Sequence, residues 1–317
     1  MVKGKVLVTG CAGFIGSHIV DSLLKNNYSV IGIDNFNNYY NSTFKEKNLV
    51  EASKNKRFKL YREDILNFDI TQKIFKKEGP QKILHLAARA GIRPSIKDPT
   101  LYAKVNIEGT VNLLRLSVDF NVKQFIFGSS SSVYGNSKKI PFKEDNPCDD
   151  IISPYGASKR AAEFWIESFW HTYGLKSVIL RFFTVYGPRG RPDMAPALFS
   201  RAILEGNPIN QFGNGSSSRD YTYIDDIVDG IIKTLESNLD FEIINLGNSN
   251  PITLNEFIKT LEKTIGKRCK IRKMQEQPGD VEKTWASIAR VKKLTSWQPT
   301  TYLDGGLKKY IRWLDPN

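Results

Sequence analysis

Seven residues, Gly10-Cys11-Ala12-Gly13-Phe14-Ile15-Gly16, stand directly behind a short apolar run, Lys5 to Thr9, and overlap the start of a segment with helical periodicity, Ile15 to Lys25. Glycines at this spacing between a strand and a helix constrain the chain more than any other feature. One glycine serves the tight turn, one lets backbone approach a pyrophosphate, and one allows the helix to close on the strand, with the helix N-terminus facing the anion. A second apolar run ends in Asp34. That acid lies about 20 residues beyond the glycines, where a carboxylate hydrogen-bonds the adenosine ribose of a dinucleotide. A carboxylate there repels a 2′-phosphate, so the pattern favours NAD over NADP. Asp64-Ile65, after the third run, fits the next wall of an adenine pocket.

The apolar runs recur at Ser29 to Asp34, Phe58 to Tyr61, Lys82 to Leu86, Lys123 to Phe127 and Ser177 to Phe182, with longer helical segments between them, such as Ile96 to Phe120. This β-α-β-α alternation predicts an α/β chain built on a Rossmann-type, doubly wound parallel sheet. After Tyr186 the texture changes to GPRGRPDM and then to shorter mixed elements, which predicts a smaller α/β substrate-binding lobe. The expected division is a dinucleotide-binding domain over 1–186, to which roughly 220–250 returns, and a mainly substrate-binding domain over 187–317. Asp225 to Glu236 and Leu254 to Ile265 read as helices.

A chain of 317 residues suits two packed lobes. It has no apolar run near the roughly 20 residues that cross a bilayer, and MVKGKVLVTG lacks the long apolar region of a signal peptide. Neither membrane association nor export is expected. Cys11, Cys148 and Cys269 are far apart with no CxxC pair, which argues against disulfides and for a reducing cytoplasm. No His, Cys or carboxylate cluster has metal-ligand spacing, so no metal is expected. The net charge of +13 divides into 27 basic and 17 acidic residues up to Arg181 and 19 and 16 beyond it. Its densest stretch, Lys45 to Lys59, contains Glu46 and Glu51 and reads as a wet helix face. Without a binding motif or interleaved aromatics, nucleic acid is not an expected partner, whereas a fixed anionic ligand suits the balance.

A site that removes hydride from an alcohol needs a base near the hydroxyl. A tyrosine serves if positive charge lowers its pKa from about 10. Tyr-x-x-x-Lys on a helix puts both groups on one face, and the pattern occurs twice, at Tyr134/Lys138 and Tyr155/Lys159. Gly135-Asn136-Ser137 is turn composition and need not align the first pair. Ser153-Pro154 is a helix start, so geometry selects Tyr155 and Lys159. The run Gly128-Ser129-Ser130-Ser131-Ser132 places hydroxyls at the carboxyl edge of the sheet, where ligands bind in this architecture. His85, at a strand end, reads as a packed histidine.

With GCAGFIG, Asp34, HLAARAG, GSSSSVYG and Tyr155-Gly-Ala-Ser-Lys159 in order, the chain resembles the extended short-chain dehydrogenase/reductase family, in particular its nucleotide-sugar epimerases and dehydratases. The likeness runs nearly end to end and includes RFFTVYGPRGRPDMA, SRDYTYIDDIVDGI and QPGDVEKTWASI. The resemblance implies tightly held NAD, with Tyr155 as base, Lys159 lowering its pKa and holding the nicotinamide ribose, and Ser130 assisting proton transfer. It implies that Gly10, Gly13, Phe14, Ile15 and Gly16 hold pyrophosphate, and that Asn35, Leu86, Ala87, Ala88 and Asn106 join Asp34, Asp64 and Ile65 in the cofactor site. Thr184, Phe212, Arg219 and Asp280 fall where the family holds the nucleotide diphosphate or the sugar. A homodimer formed through a helix bundle is a further implication.

Family dehydratases and decarboxylases carry an acid before VYG, where this chain has Ser131 and Ser132, so epimerisation through a 4-keto sugar is favoured. RFFTVYGPRGRPDMA and DNFNNYYN look most like the UDP-glucuronate 4-epimerases, with Thr184 and Arg191 meeting the sugar carboxylate. The alternatives are a UDP-glucose/UDP-galactose 4-epimerase, a net dehydrogenase releasing NADH, and a non-catalytic dinucleotide-binding sensor or scaffold. Ser287 stands where aspartate is common in the family, and the resemblance assigns no definite role to Arg89, Arg93 or Arg189.

Overall fold

A computed structural model of the chain describes residues 2–275 and 281–316. Seven parallel strands form its central sheet: β1 (Lys5–Thr9), β2 (Ser29–Ile33), β3 (Phe58–Tyr61), β4 (Lys82–His85), β5 (Gln124–Ser130), β6 (Ser177–Phe182) and, from far along the chain, β10 (Phe241–Leu246). Their spatial order is β10-β6-β5-β4-β1-β2-β3, so the sheet winds in opposite directions from β1 and the order reverses between β1 and β4. In an open α/β sheet the crevice outside the strand ends at this reversal is where ligands bind.

Alternation along each strand supplies both faces. Val6 and Val8 pack with Leu84, Ile126, Leu180 and Leu246 under α1 (Phe14–Lys25), α2 (Ser42–Ser53) and, from later in the chain, α9 (Ile224–Glu236). Leu7 points the other way, with Ile31, Ile83, Phe125, Phe127 and Ile179, under α3 (Phe68–Glu78), α6 (Gly109–Asp119) and α7 (Pro154–Tyr173). Helix α7 begins where sequence chemistry says it should. Ser153 accepts from the Gly156 amide, Pro154 occupies the first turn, and Gly174 closes the helix at φ +66°.

The expected single helix from Ile96 to Phe120 is instead α4 (Ile92–Lys97), α5 (Pro99–Ala103), a π-helical turn (Lys104–Glu108) and α6. Pro99 keeps Asp98 out of helical geometry, at φ −140°, and the Asp98 carboxylate caps the Leu101 amide. Strand β5 also runs three residues past Phe127, carrying Ser129 and Ser130 into the sheet edge.

The smaller elements start at β7 (Thr184–Tyr186), which pairs in parallel with β9 (Ser218–Tyr223); β9 is also antiparallel to β11 (Pro251–Thr253). A second pair joins β8 (Ile209–Phe212) to β12 (Ile271–Met274). Helices α8 (Ala195–Glu205), α10 (Leu254–Ile265) and α12 (Leu303–Leu314) surround a cluster built on Tyr186, Tyr221, Phe257 and Leu261. The portion that returns to the large sheet is therefore α9 and β10, joined by α11 (Ala289–Thr295) and Trp297. Trp297 is fully buried against α9, and its indole donates to the Asp226 carbonyl.

Truncating this side chain leaves a cavity in the core of the large sheet, so Trp297→Ala is expected to lose roughly 3–5 kcal/mol of stability. Equilibrium denaturation checks this, and an unchanged midpoint would detach the 289–297 segment from that core.

Candidate active site

Six of the seven strands, all but β10, end in a cleft of about 1000 Å³ that runs from the α1 N-terminus to the smaller elements after β7. At one end Gly10 turns the chain at φ +68°, and a Cβ there would lie 2.8 Å from the Ala87 amide nitrogen. A Cβ on Gly16 would lie 2.1 Å from the Gly10 carbonyl oxygen. Backbone therefore packs on backbone, and Gly13, which precedes α1, carries no side chain that could cap the helix amides. A helix N-terminus of this kind faces an anion well.

Asp34 follows β2. Its carboxylate accepts from the amides of Ala12 at 3.1 Å and Phe36 at 2.9 Å, and Lys45 approaches it at 3.6 Å, both side chains being nearly buried. Lys45 and Tyr40 line the cleft beside Asp34 and were missed by the sequence reading. Their only signal was the DNFNNYYN segment and a lysine on what looked like a wet helix face. Asn35 donates to Asp64 at 2.7 Å, and Ile65 and Leu86-Ala87-Ala88 complete this part of the wall. Asn106 does not line the cleft. Its amide clamps the backbone of Arg89, accepting from N at 2.7 Å and donating to O at 2.9 Å, and also donates to Ser158. It supports the wall from behind.

A chain of hydrogen bonds beneath the wall has a fixed sense. The Ala87 amide donates to Thr9 Oγ1, and Thr110 spends its proton on the Asn106 carbonyl, so His85 accepts from Thr9 at Nδ1 (2.7 Å) and donates from Nε2 to Thr110 (2.9 Å). His85 is a packed neutral histidine, its pKa driven down to about 3 by burial and by the Lys159 charge.

Further along, Tyr155 and Lys159 sit one turn apart at the start of α7. Lys159 Nζ donates to the Gly128 carbonyl at 2.7 Å and lies 4.5 Å above the Phe127 ring. Burial drags its pKa down to about 7, opposed by Glu163 one turn later. Glu163 is held by Arg181, Arg160 and Ser129. Burial raises the Tyr155 phenol, and a hydrogen bond with Ser130 and the positive charge of Arg191 act against that rise. Ser130 also bonds Ser132, and Ser131 completes this hydroxyl wall. Tyr134, of the other Tyr-Lys pair, is buried and bonds Asn245.

Thr184, Arg191, Phe212 and Arg219 line the small-lobe side. The Arg93 guanidinium lies 4.5 Å over the Phe212 ring, and Arg219 Nη1 donates to the Ser218 carbonyl. The two arginines of GPRGR part company. Arg189 pairs with Asp21 on α1 at 2.7 Å, beside a bond from His18 to the Pro188 carbonyl, whereas Arg191 enters the cleft. Asp280 lies outside the described residues, among which no group of metal-ligating side chains occurs.

Residues 6–247 match the NAD dependent epimerase/dehydratase family. The chain belongs to this family. A curated relative from Thermodesulfobacterium geofontis, named UDP-glucuronate 4-epimerase, is 45% identical over 99% of this chain and 97% of its own. The crystal structure of UDP-glucuronic acid 4-epimerase from Bacillus cereus, in complex with UDP-glucuronic acid and NAD, superposes with a TM-score of 0.94 at 38% identity, covering 98% of this chain and 99% of the other. The UDP-glucose 4-epimerase of Thermotoga maritima, with UDP-glucose, superposes with a TM-score of 0.89 at 34% identity over 98% and 99% of the two chains.

In this epimerase/dehydratase-family chain the histidine under the cleft wall has a measurable consequence. Its folded pKa lies below the unfolded value of about 6.5, so its contribution is fully present above that pH and is lost as pH falls toward about 3. Unfolding free energy should fall with acid through this window, and His85→Gln should flatten that slope. Equal slopes in the two proteins would show that His85 is not held neutral.

Proposed function

We propose that this protein interconverts the 4-epimers of a UDP-sugar with NAD as resident cofactor, and that its sugar pair is UDP-glucuronate and UDP-galacturonate. The observation that carries the sugar assignment is the course of Arg191. It turns into the cleft close enough to act on the Tyr155 phenol, while Arg189 is tied to Asp21 outside it. A neutral hexose offers such a donor only hydroxyls, whereas a sugar carboxylate offers it an anion and a charge-assisted hydrogen bond.

The residues present fit the cofactor. Gly10 and Gly16 give the close backbone approach a pyrophosphate needs, the start of α1 gives an uncapped N-terminus, and Asp34, Asn35, Asp64, Ile65 and Leu86-Ala87-Ala88 wall that end of the cleft. Bound there, NAD supplies the acceptor for the hydride of C4 and the source from which hydride returns to the opposite face of the sugar. This chain's own residues do the proton work. Tyr155 takes the proton of the 4-hydroxyl, Ser130 holds that oxygen through its hydroxyl and with Arg191 favours the phenolate, and Lys159, in its protonated form, is assigned to support it and to hold the nicotinamide ribose. Ser131, Ser132 and Thr184 offer hydroxyls, and Phe212, Arg219 and Asp280 are assigned to the sugar nucleotide. In this reading 1–186, with the returning segment at roughly 220–250, holds the cofactor, and 187–317 mainly holds the substrate.

We also propose a cytoplasmic homodimer. The three cysteines are free, which suits a reducing compartment. On α7, Phe164, Trp165 and Tyr173 are exposed aromatics that a second copy would cover. A monomeric mass in light scattering refutes the dimer.

Purified protein given UDP-glucuronate without added reductant should form UDP-galacturonate in proton NMR and leave UDP-glucose unchanged. Conversion of UDP-glucose alone would keep the Tyr155 chemistry and remove the carboxylate reading. Tyr155→Phe should cost about 10²–10⁴ in kcat, the range of a general base. Activity that survives this change would remove Tyr155 from the reaction, and no turnover by the wild type of either sugar would favour a sensor or scaffold.

A further inference from the structure

Arg191 does not stand by itself. Its Nε donates to Asp193 Oδ1 at 3.0 Å and its Nη2 to Oδ2 at 2.5 Å, a side-on bidentate pair. The Tyr39 hydroxyl closes the ring, donating to Asp193 Oδ2 at 3.2 Å and accepting from Arg191 Nη2 at 3.2 Å. The Tyr39 ring lies 5.1 Å from the Arg191 guanidinium carbon and 5.9 Å from that of Arg89. Tyr39 is wedged in turn against Gly91, where a Cβ would sit 2.9 Å from its hydroxyl. Guanidinium has five N–H donors, and these contacts engage Nε and Nη2. The Nη1 edge lies outside the ring.

We propose that Asp193 and Tyr39 are positioning residues that lock the Arg191 guanidinium with its Nη1 edge turned to an anionic group on the sugar, and so set the preference for an acidic over a neutral UDP-sugar. This rests on the glucuronate reading above. An arginine side chain carries much rotamer freedom, and freezing it at the moment of binding weakens affinity. Here the freezing is completed in the fold. The Asp193 charge also offsets that of a largely buried cation when the sugar brings no carboxylate. Burial pushes the Asp193 carboxyl up, but the hydrogen bonds and charge of Arg191, joined by Tyr39, carry it below the usual carboxylate range. The clasp is thus ionised at neutral pH.

The test compares wild type, Asp193→Asn, Asp193→Glu and Tyr39→Phe. It reads kcat and KM for UDP-glucuronate, and the inhibition constants of UDP-glucose and of UDP, which has no sugar. Loss of a charge-assisted hydrogen bond should raise the UDP-glucuronate KM about tenfold in Asp193→Asn and about threefold in Tyr39→Phe. Both inhibition constants should stay within about twofold, and Asp193→Glu should recover part of the loss. Equal weakening of UDP-glucuronate, UDP-glucose and UDP would make the ring merely structural and overturn the proposal. A lower KM in Asp193→Asn would make Asp193 a competitor of the sugar carboxylate and overturn it too. If Asp193→Asn does not fold, Tyr39→Phe decides by the same comparison. A wild type that ignores UDP-glucuronate brings down the parent reading together with this one, whereas a wild type that epimerises it with selectivity unmoved in the variants brings down this one alone.

Discussion

The contact between the α-carbon of Gly16 and the carbonyl of Gly10 governs the rest of the site. A single methyl at Gly16 would come within 2.1 Å of that oxygen, so helix and strand close to a distance only glycine permits. That closeness aims the start of α1 along the strand ends and lets the Ala12 amide reach Asp34 across the turn. It also lets Asn48 on α2 donate to the Ala12 carbonyl, so a helix two elements later is fastened to the turn. This end of the cleft is thus backbone packed on backbone, with side chains as its outer braces.

Positive charge in the cleft is managed by partners drawn from different parts of the chain. Lys159 is buried beside the carboxyl edge of β5, and the carboxylate that supports its charge, Glu163, is itself clasped by Arg181 and Arg160. Arg189 is drawn off to Asp21, which pins the segment after β7 onto α1 and leaves the neighbouring Arg191 to the cleft. An excess of +13 over the whole chain says little about this. What matters is that buried Lys45 and Arg181 each meet a carboxylate directly, while Lys159 rests on the Gly128 carbonyl and feels the charge of Glu163 from one turn away, because an unsupported charge in such a place would cost more than the fold can offset.

Much of this was legible in the sequence because it depends on local spacing. The glycine turn, the Asp34 position, the apolar strands and the Ser153-Pro154 start of α7 are all written within a few residues of where they act. Tyr155 and Lys159 were separated from Tyr134 and Lys138 on helix chemistry alone. What was not legible is set by tertiary approach. Asp98-Pro99 gives a local reason to break the long helix, but nothing local predicts that Asn106 will turn from the cleft to clamp Arg89. The partition of Arg189 from Arg191 depends on where α1 lies, and the ring of Tyr39, Asp193 and Arg191 joins residues about 150 apart in sequence, beyond any periodicity argument.

The same distinction explains how the small lobe keeps register with the large sheet. Asp220 on β9 is buried, and its carboxylate accepts from the amides of Asn248 and Ser249, just after β10, and of Ala286. Burial lifts its pKa to about 6 against those donors. One carboxylate therefore gathers the end of the large sheet, the small sheet and the segment leading to Trp297. Arg219, the residue before it, lines the cleft. The chain passes several times between the large sheet and the smaller ones, so Arg219 and Thr184 are set relative to Tyr155 and Ser130 by contacts between these segments. A buried acceptor shared by three segments holds such contacts, because each amide left without it would be stranded away from water.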